Sequence, residues 1–558
     1  MDVAELKSTA VVTGEMLIGA RAVRGTEGTL RAVNPATGLE LEPPFGSGSA
    51  ADVNAACTLA EVAFDAYRAV SLERRAKFLE TIAQGILDLG DVLVDRVISE
   101  SGLPRGRVEG ERARTVGQLR LFASLAREGR WLSATLDRAL PDRKPLPRAD
   151  LRAQSIPVGP VAVFSASNFP LAFSVAGGDT AAAFAAGCPV VAKSHSSHLG
   201  TSELVGRVVQ KAVADCGLPE GVFSLLVGGG SSVGEELVKH PAICAVGFTG
   251  SRRVGRTLVA LAAAREVPIP VYAEMSSINP VFLLPAALAQ RAEAIAQGLI
   301  DSVTLGTGQF CTKPGIVIGV AGPDFDRFRA AAQSAVEAKS ATTMLNSGIH
   351  RAYCQGAAQW GKDSGVRAVS SGAAPAPGSY AGQPMLFATT AKHFIESPSL
   401  LEEVFGPAAL LIEASSTDEL VAVAKHLNGQ LTATLHLAEQ DTELARELVP
   451  LLERRAGRIV INGFPTGVEV TYAMVHGGPS PATSDSRVTS VGERRFGRIA
   501  SICSRHAARL SRAVGELSGS AICGMAKPAI DGCAMPAASR SGLGNWASAL
   551  ISASLAWT

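Results

Sequence analysis

A chain of 558 residues exceeds the length at which one hydrophobic core stops growing, so two or more lobes with a cleft between them are expected. Its 52 Lys and Arg balance 51 Asp and Glu, and aromatic residues make up 5%, which argues against a nucleic-acid surface built on basic charge and stacked rings. The nine Cys include no C-x-x-C pair, the N-terminus lacks the basic-then-apolar run of a secretory signal, and no apolar stretch reaches the ~20 residues of a bilayer span, so no metal, no membrane contact and a cytoplasmic location are expected.

In chain order, the first 140 residues read as mainly helical, with apolar positions at helical spacing over 74–93 and 112–125. Residues 139–148 carry three Pro, and 150–156 then alternate like a strand that has left the main body, the pattern of an extended arm. From Val158 the rhythm changes. Apolar strands at 161–164, 190–192, 222–227 and 245–248 alternate with helices at 171–186, 201–215 and 233–239, which predicts parallel pairing in a doubly wound α/β domain of the dinucleotide-binding type. A second α/β stretch over 271–470, with helices at 325–336 and 420–426, is the expected catalytic lobe. After residue 492 the composition shifts: 493–558 hold three of the nine Cys and only three acids.

Four places carry chemistry. In Gly306-Thr-Gly-Gln-Phe-Cys311-Thr-Lys-Pro-Gly315 a thiol follows a glycine-rich turn, where backbone N–H groups or the nearby Lys313 favour the reactive thiolate, although a lone Cys is more often buried and inert. Pro270-Val-Tyr-Ala-Glu274-Met-Ser-Ser-Ile-Asn279-Pro280 sets one carboxylate among apolar and small residues, a candidate general base or an ordinary salt-bridged acid. Phe164-Ser-Ala-Ser-Asn168-Phe169-Pro170 ends a strand at an amide that either stabilises an oxyanion or caps the next helix. Leu401-Glu-Glu403-Val-Phe405-Gly406-Pro407 joins an acid, an aromatic ring and a turn.

Together with Asn34-Pro35-Ala-Thr-Gly38, Gly187-Cys-Pro-Val-Val-Ala-Lys193 and Phe248-Thr-Gly250-Ser251, these pieces fall in an order that resembles the aldehyde dehydrogenase superfamily from residue 34 to 492. The resemblance implies that fold, with a cofactor lobe over 1–138 and 158–270, a catalytic lobe over 271–475, an oligomerisation arm over 139–157 and 476–492, and an atypical tail over 493–558. It also implies a homodimer or homotetramer acting on a small-molecule aldehyde. The tail is either a divergent extension or the product of a reading-frame change, and is expected to be poorly ordered in the latter case.

By the same resemblance Cys311 is the nucleophile, Glu274 the base for hydrolysis, and Asn168 an oxyanion donor with the Cys311 N–H. Glu403 would hold the nicotinamide ribose and Phe405 would lie beside the nicotinamide. Lys193 would bond the adenosine ribose, Gly250 and Ser251 would lie near the pyrophosphate, and Ser167 and Phe169 would border the cofactor. NAD-preferring members carry Glu three residues after the lysine. Here Ser196 stands there, so Lys193, His195 and Ser196 are expected to accept a 2′-phosphate, with NADP preferred and NAD possible.

A narrower likeness, through the 168–179 run, the Lys193-Ser-His-Ser-Ser-His198 loop and Met474-Val-His-Gly-Gly-Pro479, points to a bacterial branch acting on 2-oxoglutarate semialdehyde (2,5-dioxopentanoate). NADP-dependent fatty aldehyde dehydrogenases are the alternative. Val227-Gly-Gly-Gly-Ser231-Ser232-Val-Gly234 loosely resembles the run of amidase-type serine hydrolases, but glycine before a helix is expected at any βα turn of a doubly wound fold. A binding protein on an inactive scaffold is disfavoured by the presence of both Cys311 and Glu274.

Overall fold

The structure, a computed structural model, describes residues 11–485 and the strand Arg505–Leu510. Two seven-stranded sheets organise it. In the first, Val271–Glu274, Ala245–Thr249, Val161–Phe164, Val190–Lys193 and Phe223–Leu226 lie side by side in parallel, and the hairpin of Met16–Ile18 and Arg21–Val23 closes the edge antiparallel. Nearly every residue of the parallel strands is buried, as expected where helices cover both faces. The chain winds one way from Val161–Phe164 to Phe223–Leu226 and then returns past its start to Ala245–Thr249, so the carboxyl ends of Val161–Phe164 and Ala245–Thr249 flank a topological switch point. Asn168, Gly250 and Ser251 follow those two ends.

The second sheet has the order Arg367–Ser371, Met385–Thr390, Ala408–Ala414, Ile316–Val320, Val281–Leu283, Gln430–His436, Ala456–Ile461, parallel except at its first pair. Leu151–Ile156 leaves the body as expected and is the middle strand of a three-stranded antiparallel sheet with Thr135–Asp137 and Arg505–Leu510. Within 476–485, expected in the arm, Gly477 and Gly478 pack instead against Gly457 and Gln430 of the second sheet, and 482–484 lie along the first, where Met275 donates to the Ala482 carbonyl (2.7 Å) and Ser484 to that of Ala273 (3.0 Å). The remainder of the expected arm, 486–492, and the tail apart from Arg505–Leu510 lie outside the described residues. No helix among the described residues is long and apolar enough to cross a membrane.

Three sequence expectations shift. The first 140 residues also contribute strands, Met16–Ile18 and Arg21–Val23 to the first sheet and Thr29–Val33 with Glu40–Gly46 as a separate pair. The helical run at 74–93 divides into Leu72–Asp88 and Gly90–Ser101, because Gly90 takes a left-handed φ of 54°. The helix expected from residue 171 starts only at Gly178. Before it, the Leu171 and Ala172 N–H groups donate to one oxygen of the buried Glu111 carboxylate (2.8 and 3.0 Å), which the Arg107 guanidinium neutralises at 2.7 Å.

Glu111 therefore fixes the loop that carries Asn168. Replacing it with Ala strands two buried N–H groups and half of an ion pair, at a cost of about 3 kcal/mol. Glu111→Ala is expected to lower the thermal unfolding midpoint, read by calorimetry. An unchanged midpoint would deny Glu111 this role.

Candidate active site

The helix Pro285–Thr304 ends in a short turn, Leu305–Gly308, that delivers Gln309-Phe310-Cys311 into the space between the two sheets. Gly306, Thr307 and Gly308 have φ of 56°, 58° and 65°, and a Cβ on Gly308 would meet the Gly406 backbone at 2.3 Å, so the turn is locked against the segment that carries Glu403. Asn279, itself left-handed at φ 43°, donates through Nδ2 to the Cys311 carbonyl (2.8 Å) and the Lys313 carbonyl (3.0 Å). Lys313 is buried and donates to the carbonyls of Val404 (3.1 Å) and Ala408 (2.8 Å). The loop is thus fixed from both sides, and Lys313 serves as a strut.

Glu274 ends its strand with its side chain 1% exposed. His476 lies between it and the thiol: its Nε2 is 3.0 Å from Glu274 Oε1 and 3.3 Å from Cys311 Sγ. Burial pushes the Cys311 thiol well above its ordinary range, and Glu274 adds to this because a carboxylate repels a developing thiolate, while Arg114 opposes both. The imidazole is placed to accept the thiol proton, with the carboxylate beside it. Glu274, Cys311 and His476 also bring three metal-ligand atoms within 4.8 Å of one another.

Asn168 Nδ2 donates to the Gln309 carbonyl (3.0 Å), which sets the amide against the nucleophile loop with a second N–H left to donate. The Cys311 N–H donates to no protein group among the described residues. These two donors can hold the oxyanion that forms on a carbonyl oxygen when sulfur adds to its carbon. Phe169, expected at the cofactor, is elsewhere: its ring packs at 5.0 Å from Phe173 and 5.4 Å from Phe310 under the Arg107 and Arg114 guanidiniums, because its loop is drawn toward Glu111.

A cleft of about 1100 Å³ at the switch point is lined by the other predicted residues, Ser167, Asn168, Lys193, His195, Ser196, Gly250, Ser251, Glu403 and Phe405, and it reaches Cys311 and Glu274. Ser251 caps the helix Arg252–Ala263 by accepting from the Val254 N–H (3.4 Å), and the first turn of that helix presents backbone N–H groups suited to an anion. Burial drives Glu403 up to about 7 and its neighbour Lys313 down to about 8, each partly restrained by the other's charge. His195 is held neutral by burial and by the nearby His198 and Lys193, and its Nδ1 accepts from the Ser197 N–H (3.1 Å). It offers one ring N–H and no charge, which corrects any reading of it as a cation for phosphate. Burial lowers Lys193 to about 8. Ser231 of the amidase-like run merely lines this cleft.

The Aldehyde dehydrogenase family model matches residues 23–481. The chain belongs to the aldehyde dehydrogenase family. It is 58% identical to Alpha-ketoglutaric semialdehyde dehydrogenase 2 of Azospirillum brasilense over 88% of this chain and 93% of that one. It is 47% identical to the Alpha-ketoglutaric semialdehyde dehydrogenase of Acinetobacter baylyi over 86% and 91%. The lactaldehyde dehydrogenase structure from Escherichia coli shares the fold at a TM-score of 0.76, with 23% identity over 89% of this chain and 99% of that one. The protein is therefore an oxidoreductase that acts on aldehydes with NAD(P), which sets aside the serine-hydrolase reading.

A nicotinamide dinucleotide suits the aldehyde dehydrogenase cleft on the structure's own terms: elongated, open to helix N–H donors at Ser251, and provided with Glu403 and Lys193 for ribose hydroxyls. His476 and Asn279 were not singled out from the sequence as site residues. His476 gave its signal only inside Met474-Val-His-Gly-Gly-Pro479, and Asn279 only as the Asn before Pro280.

Alkylation of Cys311 by iodoacetamide, followed by mass spectrometry of its peptide, is expected to accelerate with pH past the ordinary thiol range. In Glu274→Gln the midpoint should move down, because the repelling charge is gone. A midpoint that stays or rises contradicts the electrostatic reading.

Proposed function

We propose that this aldehyde dehydrogenase oxidises 2-oxoglutarate semialdehyde to 2-oxoglutarate, with NADP preferred over NAD. The observation that carries the substrate is the 58% identity, nearly end to end, with the Azospirillum brasilense enzyme of that name. The cofactor preference is supported by the cleft, where Ser196 is exposed beside Lys193 and no carboxylate stands at that position to repel a 2′-phosphate.

In this reading the Cys311 proton passes to His476 Nε2 under the influence of Glu274, and sulfur attacks the aldehyde carbon. Asn168 and the Cys311 N–H hold the oxyanion of the thiohemiacetal. NAD(P), held by Lys193, Ser251 and Glu403, supplies the hydride acceptor. The thioester left on Cys311 is hydrolysed by water whose proton goes to Glu274, releasing the acid and restoring the thiol. Lobes over 1–138 with 158–270 and over 271–475 fit this division of labour except at Val271–Glu274, which pairs in the first sheet and so belongs with the cofactor lobe. A homodimer or homotetramer is supported by Leu136, Leu140, Leu146 and Leu151, which the arm exposes by 39–69%.

The test is a panel of aldehydes assayed with both cofactors. The semialdehyde should give the highest kcat/KM, and NADP should exceed NAD; better turnover of a long apolar aldehyde, or a strong NAD preference, refutes the respective half. As pH passes about 8, Lys193 loses its proton and KM for NADP should rise more than KM for NAD. His476→Asn should lower kcat about 100-fold near neutral pH. The deficit should narrow at high pH, where the thiol ionises without help; a pH-independent deficit would make His476 structural.

A further inference from the structure

We propose that Arg114 and Arg458 form the subsite that holds the substrate's carboxylate, at the end of the carbon chain remote from the aldehyde. This deepens the oxo-acid reading above and rests on it.

Arg114 projects from the helix Arg105–Glu128, with its guanidinium carbon 5.5 Å from the Phe169 ring centre and 5.4 Å from that of Phe173. Phe169 contacts Phe310, the residue before Cys311, at 5.4 Å, and Phe173 faces the His476 ring at 6.3 Å. Arg114 is therefore one aromatic ring away from both the nucleophile loop and the imidazole. Arg458 comes from the strand Ala456–Ile461 on the catalytic sheet. Its Nη1 lies 3.3 Å from Met474 Sδ, two residues before His476, and its Nη2 donates to the Pro465 carbonyl at 2.9 Å. Both guanidiniums stand close enough to Cys311 for the sulfur to act on their ionisation.

What marks this pair is the missing anion. Arg107, two turns earlier on the same helix, also lies over Phe169, at 4.6 Å, but has Glu111 at 2.7 Å. Among the described residues neither Arg114 nor Arg458 has an ion-pair partner, and the Nε of each is buried without a hydrogen-bond partner. Burial pulls both below the ordinary arginine range, the mark of a charge taken from water without repayment. The aromatic faces fix the plane of Arg114 and leave its N–H edge for a planar acceptor, the geometry that suits a carboxylate.

Glu274 acts on Arg114 only at a distance and is committed to proton transfer. A substrate with its aldehyde at Sγ and a carboxylate four C–C bonds further on would supply the absent charge. An uncharged aldehyde of equal length would leave both guanidiniums unpaired, so the pair selects for the acid as well as binding it.

The experiment compares kcat/KM for 2-oxoglutarate semialdehyde with kcat/KM for pentanal in wild type, Arg114→Leu, Arg458→Leu and Arg120→Leu, and measures competitive inhibition by glutarate in each. Arg120 is exposed on the same helix as Arg114 and controls for helix stability. Each subsite variant is expected to lower the semialdehyde-to-pentanal ratio about 100-fold, mainly through KM, and to weaken glutarate by a similar factor. Arg120→Leu should keep the wild-type ratio. Equal loss on both substrates, or an unchanged ratio and glutarate affinity, overturns the subsite while the substrate reading stands. If wild type itself shows no preference for the semialdehyde over pentanal, the substrate reading and the subsite fall together.

Discussion

The site depends on a seam between distant parts of the chain. Met275 donates to the Ala482 carbonyl and Ser484 to the Ala273 carbonyl, so 482–484 lie along the edge strand of the first sheet. A few residues on, Gln430 Oε1 accepts from the N–H groups of Ile278 (2.8 Å) and Asn279 (3.2 Å), which joins the same segment to the second sheet. Gly457 is so close to Gly477 that a Cβ there would lie 1.8 Å from its carbonyl oxygen, which holds the segment before the seam against the second sheet. His476 is carried to Cys311 and Glu274 by this three-way closure.

The closure sets up a conflict that the chemistry uses. The thiol lies at the floor of the cleft, where burial disfavours its anion and the neighbouring Glu274 carboxylate disfavours it further. An imidazole stands between the two groups at 3.3 and 3.0 Å and gives the thiol proton an acceptor within the protein. The two stages need different proton acceptors at different times, and one short chain of contacts serves both.

Much of this was legible in the sequence where information is local. The alternation of short β-branched strands with helices predicts the doubly wound sheet, and the turns bearing Asn168 and Gly250 follow from where its strands end. What stayed hidden was long-range. Nothing in the local pattern singles out Glu111, yet it holds the loop after Asn168, and the next helix begins only at Gly178. Phe169 shares a motif with Asn168, but adjacent residues point in different directions, so motif membership misplaced it. His476 is 165 residues from Cys311, and no periodicity connects them. Buried guanidiniums cannot be told from surface ones by residue type alone.

Lys313 ties these parts together in one further way. Its ammonium grips the carbonyls of Val404 and Ala408, one on each side of the turn after Glu403, while its own carbonyl is held by Asn279 along with that of Cys311. The Cys311 loop and the turn after Glu403 consequently belong to one frame, not to two loops that meet by chance. Whatever moves the turn after Glu403 therefore also moves the backbone of Cys311, because the same lysine spans both.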